Sequence, residues 1–275
     1  MTALLASDLY RAVRSRWLWV ALGLVALVQV GTAVSVFWWP LDPTLVFDGL
    51  TGHAGALRLA GRGMSVEGVA IVAAFVAAHL SCADSCTGFD RTLLSSLRGR
   101  AGYFAEKYLF VALLTAAVLL AYLALSGIGV LVVGVPVRNV EPLWQVAAWV
   151  GCEWLVACAY ALLVTLVGQL SRSRALAFVL ALMLTTGLAE QVVYGFVVLL
   201  GGIFGLGPQL SPGLELAFGW APYVTSRAVA HGAAELLAAD ATGVAPALRA
   251  LAVCGPLVLL AIAAGTLVGS RRDLA

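Results

Sequence analysis

Two acidic residues, Glu153 and Glu190, interrupt otherwise apolar stretches of the chain. A carboxylate in hydrocarbon costs about 3 kcal/mol or more unless it is paired or wetted, so each is a candidate to line a polar path or gate one. Each has a plainer reading too, as a group bonded to a neighbouring helix or lying near an interface. His79, Cys82 and Cys86 recur at i, i+3 and i+7, one helical face that superficially resembles a metal site. Three ligands without a clear fourth, among Ala and Val, favour packing over metal. The sole lysine, Lys107, follows Glu106, so the chain has no G-x-x-x-x-G-K-[ST] phosphate loop and cannot hydrolyse nucleotide by that route. Leu125-Ser126-Gly127-Ile128-Gly129 lies within an apolar run that no nucleotide reaches. G-x-S-x-G and H-E-x-x-H are both absent, and Asp48-Gly49 lacks the further aspartates of a lipid-headgroup transferase. The expectation is a chain that is not an enzyme, with no cofactor or metal of its own.

The elements that must position these residues are set by composition. Of 275 residues, 62% are hydrophobic and 11% charged, and mean hydropathy is +1.01, where a soluble domain carries about 25% charge. So many apolar groups cannot all turn inward and must meet lipid. The net charge of +2 is too balanced to suggest nucleic acid as a partner, and five irregularly spaced cysteines do not form a disulfide framework.

The expected fold is all-α, one domain over 1-275 with six transmembrane helices at 17-39, 66-82, 108-135, 143-167, 175-204 and 250-270. Lipid requires each span to bond its own backbone, which a run of about 20 apolar residues does as helix. Arg11, Arg14, Arg16, Arg91, Arg98, Arg100, Lys107, Arg172, Arg174, Arg271 and Arg272 then fall on alternate connections. Positive residues are retained in the cytoplasm, so both termini are expected there, in a multi-pass protein of the plasma or inner membrane. Arg58, Arg62, Arg138, Arg227 and Arg249 fall outside. Phe37-Trp38-Trp39-Pro40 closes the first span like an interfacial aromatic belt.

Three polar segments carry pattern. Residues 1-16 place Leu5, Leu9, Ala12 and Val13 on one helical face, which suits an elbow helix on the inner leaflet or a plain basic flank that sets topology. In the segment 84-107, Phe89, Leu93 and Leu97 recur every four residues among Asp90, Arg91, Leu94, Ser95 and Arg98, bracketed by glycines. A docking helix for a soluble partner and an interfacial helix both fit that pattern. The connection 205-249 carries Pro208, Pro212, Pro222 and Pro246 and an Arg227, His231, Glu235 stripe at i, i+4, i+8. Short re-entrant or interfacial helices are expected in it, since a structureless loop that long is uncommon.

The opening Asp8-Leu9-Tyr10-Arg11 with Arg14-Ser15-Arg16-Trp17, and Gly88 to Arg100 leading into Glu106-Lys107-Tyr108, resemble the elbow and coupling segments of the permease subunits of ABC-2 type ATP-binding-cassette transporters. The resemblance covers almost the whole chain, the long connection before the last span included. It implies a half-transporter, with export the expected direction, that pairs with a second permease copy, identical or related, and recruits two separate ATPase subunits carrying ATP and Mg. The ATPase contacts it implies are Phe89, Asp90, Arg91, Leu93, Leu94, Ser95, Leu97 and Arg98, with Arg11 and Arg14 near the same partner. The rival expectations are an ion-gradient-driven secondary transporter using Glu153 and Glu190, and a non-transporting membrane scaffold or immunity protein. Arginine so far outnumbering lysine fits a GC-rich bacterial gene.

Overall fold

The computed structural model describes residues 2–38, 47–51, 66–87, 100–134, 136–204, 207–240 and 242–271. In chain order the elements are α1 (Thr2–Arg14), α2 (Arg16–Trp38), β1 (Phe47–Asp48), α3 (Val66–Thr87), α4 (Arg100–Val133), β2 (Val137–Arg138), α5 (Leu143–Ser171), α6 (Arg174–Thr185), α7 (Leu188–Ile203), α8 (Gly207–Gly219), α9 (Pro222–Val229) and α10 (Pro246–Arg271). The chain is mostly helical, and among the described residues three helices are long and apolar enough to cross a membrane: α4, α5 and α10. The number rises to five if each of two bent pairs counts as one span: α1 with α2, at 59°, and α6 with α7, at 69°. The apolar stretch of α3, Gly68–Ala83, is about 24 Å long at 1.5 Å per residue, against a hydrocarbon core of about 30 Å.

The core is built on small residues. Lipid tails are as apolar as leucine, so helices in a bilayer associate through close packing rather than by escaping water. Ala73, Ala74, Ala77 and Ala78 of α3 are fully buried, and α3 packs most extensively on α5. A side chain at Gly168 of α5 would collide with Cys82 Sγ. Gly265 and Gly269, one turn apart on α10, receive the rings of Tyr108 and Phe104 from α4 in the same way. Helix α5 also meets α4, α6, α9 and α10, so it is the hub of the bundle. Apolar side chains on the outer surface stay exposed, among them Leu27, Val192, Phe196, Leu259 and Leu260, the arrangement a bilayer would cover.

Two breaks reshape the expected spans. The stretch 175-204, read as one helix, is two. Thr185 and Thr186 turn their hydroxyls back onto the carbonyls of Ala181 and Leu182, which loosens the end of α6. Gly187 then takes φ +71°, with the Tyr223 ring where a side chain would stand. The segment 84-107 is narrower than expected, because α3 runs to Thr87 and α4 already begins at Arg100. Only 88–99 separates the two helices, and it lies outside the described residues.

The helix ends gather into two groups. At one end lie α1, the start of α4 and the end of α5, where Tyr108 donates to Gln169 Oε1 at 2.9 Å. There too Arg174, opening α6, reaches the carbonyl of Ala83 in α3, and the Gly269 turn of α10 rests on Phe104. At the opposite end β1 pairs in parallel with β2, Phe47 opposite Val137 and Asp48 opposite Arg138, beside α9 and the start of α10. The connection 205-249 forms α8 and α9, as its composition suggested. The Arg227, His231 and Glu235 stripe does not form one helical face, because α9 ends at Val229 and turns follow.

Candidate functional site

Helix α1 is held to the bundle by charge as well as by part of its apolar face, Leu5 and Ala12 packing on the core. Asp8 Oδ2 lies 3.0 Å from Lys107 Nζ, and Lys107 is almost entirely buried. Glu106, also buried, accepts the backbone N–H of Leu5. That N–H belongs to the first turn of α1, where backbone donors have no partner within the helix and a carboxylate is favoured by the helix dipole. Ala12 is buried against the bundle, while Leu9, Tyr10 and Val13 remain exposed. Half of the predicted apolar face therefore points away from the protein, as an interfacial helix requires. Trp19 Nε1 donates to the carbonyl of Val13 at 2.6 Å and fastens the α1–α2 corner.

Of the predicted partner contacts, Arg11 and Arg14 lie on this helix. Arg11 is 3.4 Å from Asp8 Oδ1, and the Arg14 guanidinium sits 4.7 Å from the centre of the Tyr10 ring. Phe89, Asp90, Arg91, Leu93, Leu94, Ser95, Leu97 and Arg98 lie outside the described residues. The helix on which that segment ends, α4, is the one that grips α1 through its second turn. In the sequence Glu106 and Lys107 belonged to the segment leading into the next span and marked the absence of a phosphate loop; their clasp on α1 depends on a partner about a hundred residues away.

The two glutamates of the apolar stretches lie in different surroundings. Glu153 is buried on α5, between the indole anchors of Trp149 on the Val229 carbonyl and Trp154 on the Ala112 carbonyl. Glu190 stands in the first turn of α7, and its Oε1 accepts the Tyr223 N–H of α9 at 2.8 Å, while the buried Oε2 has no hydrogen-bond partner among the described residues. One carboxylate thus serves two helix N-termini. His79 faces Trp17, with ring centres 5.0 Å apart, and Cys82 packs on Gly168. The side chain of Cys86 lies outside the described residues.

The end opposite α1 is tied by two carboxylates that the sequence reading passed over. Glu141 accepts from the Leu50 N–H at 2.5 Å, the Thr51 N–H at 3.1 Å and the Thr51 hydroxyl at 2.7 Å. Thr51 Oγ1 in turn accepts the Ala233 N–H at 2.7 Å, so one side chain joins three connections. Burial pushes the Glu141 carboxyl up, but the bonds from Leu50 and Thr51 outweigh it and leave it below the usual value. Gly49, at φ +78°, passes where any side chain would strike Glu141. On α10, the buried Arg249 pairs with Asp240 at 2.8 Å and donates to the Gly219 carbonyl and the Thr242 hydroxyl. Burial pushes the Asp240 carboxyl up, yet two bonds from Thr242 and the charge and hydrogen bond of Arg249 together bring it below its ordinary value. The sequence signal for this pair was Arg249 itself, a cation at the start of a helix where the dipole disfavours it.

No family model matches the chain, and no curated protein matches it significantly.

Proposed function

We propose that this chain is the membrane-spanning permease half of an ATP-binding-cassette transporter, working as an exporter beside a second permease copy. Two separate ATPase subunits bind and hydrolyse MgATP. The observation that carries the reading is the clasp of Asp8 and Leu5 on Lys107 and Glu106. It couples a surface helix to the first turns of α4, directly after the 88–99 segment whose pattern suits partner docking. A push on that segment would travel along α4 into the bundle and carry α1 with it.

In this reading six spans are assembled from α2, α3, α4, α5, the broken α6–α7 pair and α10. The end holding Arg11, Arg14, Arg16, Arg100, Lys107, Arg172 and Arg174 faces the cytoplasm, with both termini. The ATPases close on MgATP, lever the 88–99 segments of both permease copies, and switch the cavity between the copies from inward to outward facing. Glu190, pinning the α6–α7 break to α9, is placed to move with that switch.

The test is a photo-crosslinker at Ser95 in native membranes. Capture of a phosphate-loop ATPase, with a yield that responds to ATP, is the expected result. Replacing Leu93 and Leu97 by Asp should release that ATPase while leaving membrane insertion intact; unchanged assembly would remove the docking role. The buried Glu153 of α5 and Glu190 at the α6–α7 break carry ion-gradient coupling as the second reading. It would be supported if Ser95 captured no ATPase and transport followed a proton or sodium gradient through those two residues.

A further inference from the structure

An apolar groove of about 580 Å³ runs between α2, α3 and α6, walled by Trp17, Val20 and Leu24 on one side and Phe75 and Phe178 on the other. Trp17, Val20 and Leu24 are all more than half exposed, so the groove opens sideways, toward the hydrocarbon of a surrounding bilayer. From Ile71 to His79 on α3 it extends about 12 Å along the helix axis. His79 closes it at the α1 end, against the Trp17 ring.

His79 also lines a second, polar cavity of about 170 Å³, immediately beyond the groove, with Asp8, Arg11 and Lys107. The two spaces therefore share one wall residue. A hydrocarbon channel open to the bilayer leads to a pocket whose lining carries two cations and an imidazole against one carboxylate. Trp17 packs beside His79 where the two spaces meet, as aromatic side chains do at the headgroup level. From this juxtaposition we infer a binding site for an anionic phospholipid of the bilayer, one acyl chain in the α2–α3–α6 groove and the phosphate at Arg11, His79 and Lys107. A bound lipid of this kind would bridge α1 to α3 and reinforce the clasp on α4. The inference rests on the membrane setting of the chain alone and is independent of any ATPase.

Native mass spectrometry of the full-length protein in mild detergent, with equimolar phosphatidylglycerol, phosphatidylethanolamine and phosphatidylcholine, tests it. Phosphatidylglycerol should be retained over the other two, and Arg11→Gln should lower its retention roughly fivefold, the scale of one basic residue at a lipid surface. His79→Leu should weaken the headgroup preference as well. Ala21→Trp, which fills the groove and spares every charge, should reduce retention of the same lipid. Each variant is compared at an unchanged thermal midpoint, and Arg11, being largely exposed, gives a variant least prone to misfold. Equal retention of the three lipids, or a preference untouched by both Arg11→Gln and Ala21→Trp, would overturn the site. Displacement by glycerophosphate as effective as by whole lipid would overturn it too, by showing an anion pocket without an acyl groove.

Discussion

At the scale of single residues, the informative groups are the carboxylates that tie the connections at the end opposite α1. Glu141 accepts three bonds and Asp240 shares its charge with a buried arginine. Glu141→Gln keeps the shape but gives up charge-assisted bonds, and should cost about 2 kcal/mol, read as a lowered thermal midpoint in detergent. Asp240→Asn should cost about 3 kcal/mol, because it strands Arg249 in a buried site. The double change Asp240→Asn with Arg249→Leu should cost less than Asp240→Asn alone, and an additive result would contradict the pairing. Both carboxyls ionise more readily folded than unfolded, so their stabilisation is present above the ordinary carboxylate value near pH 4 and lost as pH falls through the lower folded values. Protease cutting of the connections around Thr51 and Asp240 should therefore rise on acidification below about pH 4, and Glu141→Gln should flatten that dependence.

At the scale of elements, two junctions decide how the helices act. The α6–α7 break needs the left-handed backbone of Gly187 and the Tyr223 ring pressed onto it. Gly187→Val should destabilise by about 3 kcal/mol, combining backbone strain with overpacking. The α1–α4 junction rests on Asp8, Lys107 and Glu106. Lys107→Met should free α1 without unfolding the bundle. A nitroxide at the exposed Tyr10 would then report faster motion, and unchanged spectra would mean that Ala12 and the Trp19 corner hold α1 unaided. Helix α1 itself was legible from its amphipathic repeat. Its docking was not, because an i, i+4 pattern reports which face is apolar and carries no information about which distant charge meets the polar one.

At the scale of the whole molecule, the described positive residues concentrate at the end that holds α1, and the two carboxylate ties lie at the other. This sets the expected orientation. On a background lacking native cysteines, Thr242→Cys should react with an impermeant thiol reagent in intact cells, and Ser171→Cys only after the membrane is opened. The reverse pattern would invert the chain and place Ser95, with any docking partner, on the wrong side for cytoplasmic ATP.

The sequence by itself determined that the chain is helical, apolar enough to meet lipid, without a G-x-x-x-x-G-K-[ST] motif, and amphipathic over the helix Thr2–Arg14. These follow from composition and periodicity, which act locally. Tertiary structure alone decided that 175-204 is two helices, that Glu190 caps α9 while Glu153 is buried on α5, and that Lys107, Glu141 and Arg249 tie the helix ends. Each depends on partners brought close by packing, and a carboxylate in sequence looks the same whether its acceptor oxygens meet water, a cation or a helix N-terminus.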